Sequence, residues 1–148
     1  MKAEETFDFQ VRWAWFKIAR IYNTIAQDYG MTMSVGYILL NIGRNGTPST
    51  SLGPMMGMEP RSLTRTLKRM EEEELICRKN DKSDKRKVLI LLTEKGKKKR
   101  DEARSVVMEL NNLLIDKISK KEREQFFKLM NKINGILDVD KIVKEVRG

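Results

Sequence analysis

Val11, Trp15, Ile18, Tyr22, Ile25 and Tyr29 recur at alternating four- and three-residue steps. That spacing places side chains on one face of an α-helix, so the pattern predicts a long helix over about residues 7–28, stopped at Gly30. A second helix is expected from about Ser34, an N-cap residue type, to Arg44, with Val35, Ile38, Leu39 and Ile42 facing inward. Gly43, Gly46 and Pro48 end it. The segment Ser51 to Met56 reads as a short helix. Pro54 fits there only in the first turn, which makes Thr50 or Ser51 the expected cap.

Gly57 breaks the chain again, and Pro60 then suits the first position of a helix running to about Glu73. Leu63, Leu67 and Met70 form its apolar face. Arg61, Ser62, Thr64, Arg65, Lys68 and Arg69 occupy the others. A short helix, a tight turn and a longer basic helix make a helix-turn-helix pattern. Leu75 to Arg78 and Val88 to Leu92 read as strands, joined by the charged connector from Asn80 to Arg86, which predicts a hairpin with a polar tip. A long helix is expected from Thr93-Glu94, with the stripe Ala103, Val106, Val107, Leu110, Leu113, Leu114 and Ile118. Ser119 with Glu122 is a capping box for a last helix carrying Phe126, Met130, Ile133 and Leu137. Gly135 is a weak point in it, and Val139, Ile142, Val143 and Val146 extend the stripe into the tail.

The expected fold is therefore mostly α. A winged helix-turn-helix lobe over residues 32–97, with a two-stranded hairpin as its wing, is flanked by long N- and C-terminal helices over residues 6–29 and 98–147. Those terminal helices carry more apolar stripe than the small lobe can cover. A second copy of the chain is the simplest partner, so they are expected to form a homodimerisation region; the alternative is a monomer in which the two helices pack on each other.

Composition narrows the function. Among 148 residues there is no His and one Cys. The commonest general base and metal ligand are thus missing, no internal disulfide can form, and no metal or cofactor is expected. An enzyme is not expected. The N-terminus lacks a basic region followed by an apolar run, and no apolar stretch approaches the ~20 residues of a membrane span, so the expectation is a cytoplasmic protein without a membrane partner. Thirty Lys and Arg against 21 Asp and Glu leave a net charge of +9. The surplus is local: residues 60–104 hold sixteen basic and nine acidic residues, seven of the nine net charges. Such a concentration favours a nucleic-acid surface over an evenly solvated one. Glu71 to Glu74 run against it and are expected to lie away from phosphate, balancing Arg78 and Lys79.

Several motifs then resemble MarR-family regulators. Met58 to Arg65 looks like the start of that family's recognition helix. Asp81-Lys82-Ser83-Asp84-Lys85-Arg86 resembles its wing signature of two acid-x-basic units. Leu91-Leu92-Thr93-Glu94-Lys95-Gly96 is similar to the LTEKG that follows the wing. The match covers about residues 50–97. Glu59 departs from it where a small hydroxyl cap is preferred, Ser83 where Arg is frequent, and Gly53-Pro54 in the first helix of the pair.

The resemblance implies a dimeric regulator of transcription, a repressor, bound to a palindromic operator in double-stranded DNA. Its recognition helices would enter successive major grooves and its wings the adjacent minor grooves. Arg61, Ser62, Thr64 and Arg65 are then expected near base edges, and Lys68 and Arg69 on phosphates. Arg86 is expected in the minor groove, oriented by Asp84 two residues earlier on the same strand face, with Lys82 and Lys85 adding charge. A small aromatic effector is also implied, in a cleft that Trp13, Phe16, Arg20 and Tyr37 would line. The alternative is that these aromatics are ordinary core and interface. Oxidant-sensing members carry a thiol in the first helix, where this chain has none, and Cys77 is expected to pack. An architectural nucleic-acid-binding module without ligand sensing is the alternative function. It would use apolar wedges, and none is evident at the wing tip.

Overall fold

The computed structural model describes residues 2–148. A 3₁₀ turn, Ala3–Glu5, leads into α1 (Phe7–Asp28) and α2 (Met33–Asn41). These are followed by β1 (Thr47–Pro48), α3 (Ser49–Met56), α4 (Pro60–Glu72), β2 (Ile76–Asn80), β3 (Val88–Leu92) and α5 (Glu94–Ile115). The chain ends in α6 (Lys120–Ile136) and α7 (Val139–Arg147).

Two compact units result, residues 1–108 and 109–148. The first holds the core. Ile38, Leu39, Leu52, Met70, Ile76 and Ile90 are fully buried there. Ala26 from α1 and Ala103 from α5 belong to the same apolar cluster as α2, α3, α4 and the sheet. The second unit, α6, α7 and the end of α5, has no buried residue in either α6 or α7.

Local chemistry sets most boundaries. Thr6, Thr32, Thr93 and Asp138 each accept a backbone N–H with the side chain at the start of α1, α2, α5 and α7. Ser119 and Glu122 form the expected reciprocal box at α6. Several boundaries differ from the sequence expectation. The cap of α2 is Thr32, not Ser34, so the helix begins at Met33, and it ends at Asn41 rather than Arg44. α3 begins at Ser49 after Pro48, without a side-chain cap, which puts Pro54 sixth in the helix rather than in its first turn. The lost bond is the one Pro54 would donate to Thr50, and the helix ends two residues later, so the break is cheap. The tail stripe does not continue one helix: Leu137 and Asp138 leave helical geometry, and α7 starts afresh.

The wing is a three-stranded antiparallel sheet in the order β1-β3-β2, where two strands were expected. Thr47 pairs with Ile90 and Pro48 with Leu89, while Ile76 to Asn80 pair with Leu92 to Val88. Pro48 is accommodated because β1 is an edge strand. The buried Thr47 hydroxyl accepts from the Gly43 N–H at 2.9 Å and donates to the Asn41 carbonyl at 3.3 Å. Those bonds tie the edge strand to the end of α2.

Candidate nucleic-acid interface

Gly57 shapes the entry to α4. It is the left-handed cap of α3 (φ 61°), a conformation that costs a residue with a Cβ about 1–2 kcal/mol. Its N–H and that of Met58 both go to the Gly53 carbonyl. Pro60 then opens α4 behind Glu59, which supplies no side-chain cap, as its departure from the small hydroxyl implies. Leu63, Leu67 and Met70 are buried. With 3.6 residues per turn, Arg61, Arg65 and Lys68 fall opposite that face and are exposed. Ser62 and Arg69 flank one side and Thr64 the other. Thr64 lines a cleft of about 740 Å³ between α3 and α4. Its hydroxyl donates to the Pro60 carbonyl at 2.9 Å.

The acidic run divides the cations of α4 into two groups. Glu73 pairs with Arg69 at 2.7 Å, and its hydrogen bond and charge hold that guanidinium above its ordinary pKa. Glu72 lies 4.0 Å from Lys68. Glu71 meets Arg78 at 3.0 Å and so links α4 to the base of β2, as expected of the run, whereas Glu72 and Glu73 turn back on α4 itself. Among the described residues no carboxylate pairs with Arg61 or Arg65. Arg61 and Arg65 therefore present their charge undivided, while Lys68 and Arg69 share theirs.

Asp84 and Arg86 are brought together, by a different cause from the one expected. The segment between β2 and β3 is a turn rather than strand, so alternation has no part in it. The Asp84 carboxylate accepts both the Arg86 backbone N–H at 3.1 Å and its Nε–H at 3.2 Å. The rest of the Arg86 side chain is almost wholly exposed. Lys85 sits on the same turn, exposed. Asp81 and Ser83, which the sequence reading placed in the wing motif without a structural role, build the turn. Asp81 Oδ1 accepts from the Ser83 hydroxyl at 2.5 Å, the Ser83 N–H at 2.7 Å and the Asp84 N–H at 3.3 Å. These bonds, the hydroxyl's first, hold the Asp81 carboxyl below its ordinary range. The Asp-x-Ser spacing of an Asx turn was the readable signal.

The four residues of the expected effector cleft are not brought together. Trp13 stacks between Phe9 and Phe16 on one face of α1, with Arg12 over the Phe9 ring and Lys17 over the Trp13 ring. Arg20 falls on that face too, one turn on. Tyr37 meets the opposite face, stacked on Trp15 at 6.1 Å and edge-on to Tyr22. Helical period separates them: residues 13, 16 and 20 share one side, 15 and 22 the other. Burial raises the Tyr37 phenol above its ordinary pKa, so it stays neutral. The pocket between α2, Tyr22 and Val106 has about 30 Å³ of space, room for a water and not for an aromatic ring. Cys77 is half-buried on β2.

A helix-turn-helix with an attached β wing and a cationic recognition face defines a winged-helix DNA-binding regulator. The sequence pattern of the family described as "Transcriptional regulator SarA/Rot" matches residues 20–103, more than half of the chain, and the chain belongs to that family. It is 24% identical over 108 residues to the HTH-type transcriptional regulator BilQ of Clostridium symbiosum (strain WAL-14163), covering 72% of this chain and 75% of that one. Among solved structures it is similar to S. aureus MepR in a DNA complex, with a TM-score of 0.80 at 21% identity over 89% of this chain and 98% of that one. CouR from Rhodococcus jostii RHA1, bound to p-coumaroyl-CoA, gives a TM-score of 0.78 at 21% identity, over 90% and 94% of the two chains. The fold is thus of the MarR type, and the family consists of regulators of transcription rather than enzymes. Among the described residues no helix is long and apolar enough to cross a membrane.

Proposed function

We propose that the chain acts as a homodimer that recognises a palindromic operator in double-stranded DNA and represses transcription from it until a small aromatic effector releases it. One observation carries the reading: Arg61, Arg65 and Lys68 stand in a row on α4, directly opposite its buried Leu63, Leu67 and Met70. Such a helix reads base edges with the residues of its first turns and grips phosphate with the rest. Arg61, Ser62, Thr64 and Arg65 are assigned to base edges, Lys68 and Arg69 to phosphates. Arg86, steadied by Asp84, enters a narrow minor groove beside Lys85.

The dimer is supported by apolar side chains that a single chain leaves uncovered. Leu113, Leu114, Phe126, Phe127 and Leu137 are all exposed in the second unit, and Trp13 and Phe16 on α1. The solved MepR complex supports the DNA partner, and the CoA ester held by CouR supports a small-molecule effector. The pocket beside Tyr22 and Tyr37 has only about 30 Å³ of space, so an effector placed there requires a different spacing of α1, α2 and α5, and a ligand favouring that spacing would shift affinity for DNA.

The test is selection of bound duplexes from a random pool by the full-length chain, followed by footprinting of both strands. Two inverted half-sites about one helical turn apart are expected. A selected pool without inverted symmetry would point to an architectural binder instead. Small aromatic acids and their thioesters are then screened for release of the selected duplex.

A further inference from the structure

The turn between α3 and α4 is rich in thioethers. Of the nine methionines in the chain, Met33, Met55, Met56 and Met58 line one open groove of about 450 Å³, together with Trp15 and Tyr37. Met55 is 58% exposed. Met56 and Met58 are half-buried and pack against the apolar core. Met31 and Met70, by contrast, lie inside the core. Leucine would fill positions 56 and 58 with similar volume. What methionine adds is chemistry: it is the apolar aliphatic side chain that a mild oxidant turns into a polar one, and a reductase turns back.

We propose that Met55, Met56 and Met58, with Met33 beside them, form an oxidation site at which sulfoxide formation loosens the α3–α4 turn and lowers DNA binding. The oxidant is a two-electron oxygen donor of the hypochlorous acid class. The thioether sulfur takes up the oxygen, so that an S–O bond forms and the O–Cl bond breaks. Sulfur is oxidised by two electrons, chlorine leaves as chloride, and the acid's proton passes to water. A sulfoxide oxygen at Met56 or Met58 either loses its hydration against the core or swings the side chain outward. The link to α4 is short. The N–H groups of Gly57 and Met58 share the Gly53 carbonyl, the latter at 3.0 Å, and α4 begins two residues after Met58. Displacing Met58 opens that clamp and frees the start of the helix that carries Arg61 and Arg65. Met55, the most exposed, reacts first with the least consequence. Met56 and Met58 carry the effect. Cys77, the chain's single thiol, lies on β2 and does not line this groove.

The affinity readout rests on the DNA-binding reading of α4; the other readouts do not. The test doses the full-length C77S chain with hypochlorite. Peptide mass spectrometry, hydrogen exchange and duplex affinity are followed together. Met55, Met56 and Met58 are expected to gain oxygen before Met31 and Met70, and the Met58 amide to lose protection. Affinity is expected to fall about tenfold or more, the scale of one polar group losing its water, and to recover with methionine sulfoxide reductases. The M55L/M56L/M58L variant is expected to bind as its parent does and to resist the oxidant. The proposal is overturned if Met58 is oxidised with its amide still protected, if the Leu variant loses affinity as the parent does, or if Met31 and Met70 react as early. Should the triple variant fail to fold, M58L alone carries the comparison. Should the untreated chain bind no DNA, the operator reading fails, while the order of oxidation and the exchange at Met58 still decide the sulfoxide site.

Discussion

Arg65 has an exposed guanidinium with no carboxylate beside it among the described residues, on a helix whose other side is locked into the core. Under the proposed function, Arg65→Ala is expected to cost about 1–3 kcal/mol of operator affinity and to relax base preference at one position in each half-site. Binding titrations against operator variants check this; equal losses on all duplexes would make Arg65 a phosphate contact. Glu74 is a different case. It adopts φ 59°, the only non-glycine residue with positive φ among those described, and it turns the chain from α4 into β2. A Cβ there costs energy that glycine does not, and a negative charge near a helix C-terminus is unfavourable. Glu74→Gly is expected to stabilise the fold by about 0.5–1 kcal/mol in thermal or denaturant unfolding, part of the gain being returned as unfolded-state entropy. Gly96 is held by a close approach: a Cβ on it would overlap the carbonyl of Leu75. Overpacking of this kind costs about 1–3 kcal/mol, so Gly96→Ala is expected to lower the denaturation midpoint by a corresponding amount. The residue was visible as the last letter of the motif after the wing, but its partner lies 21 residues away in the chain, and no local pattern points to it.

At the scale of elements, periodicity carries far. α1, α4 and β3 have the bounds, or nearly the bounds, that the sequence predicts; α4 buries the regular face of Leu63, Leu67 and Met70, whereas α1 buries Tyr22 and Ala26 and leaves Val11 and Trp15 exposed, and β3 buries Ile90. The two-residue β1 carries no period, and its Pro48 reads as a breaker until β3 is there to pair with it. The α2 cap moved for a similar reason. Ser34 and Thr32 are both suitable, and the choice falls to Thr32, with the Met33 N–H taken by Asn23 at 3.1 Å across from α1. The wing turn is an element made by one carboxylate. Asp81 holds its proton more weakly in the folded turn than in an unfolded chain. Its contribution is therefore complete above the unfolded pKa, about 4, and is lost as pH falls through the lower folded value. The protection of the Ser83 and Asp84 amides, measured against the unfolded exchange rate at each pH, is expected to stay level from pH 8 to about pH 5 and to fall only in stronger acid. Protection already lost near neutrality would show that Asp81 does not hold the turn.

For the whole molecule, the surplus of positive charge predicts that operator affinity falls steeply with salt, with a logarithmic slope of about 0.9 per phosphate neutralised. A flat profile in an electrophoretic or fluorescence titration would remove the electrostatic basis of the interface. The uncovered Leu114 and Phe126 make the assembly testable without DNA: sedimentation is expected to give twice the mass of one chain, and Phe126→Glu to shift it toward one, since a charge buried without a partner costs several kcal/mol. The expected effector cleft shows how packing limits what the sequence reveals. Trp13, Phe16 and Arg20 share a face by period alone, but that Tyr37 joins Trp15 and Tyr22 instead depends on how α2 crosses α1. By itself the sequence determined the helical faces, the helix-turn-helix, the charged wing and the cationic stripe, all products of short-range spacing and local hydrogen bonding. Only the tertiary structure decided that Tyr37 stacks on Trp15 rather than joining Trp13, Phe16 and Arg20, that a third strand closes the wing, and that Met33 of α2 joins Met55, Met56 and Met58 along one groove. Those facts depend on side-chain rotamers and on segments far apart in the chain, which no local repeat encodes.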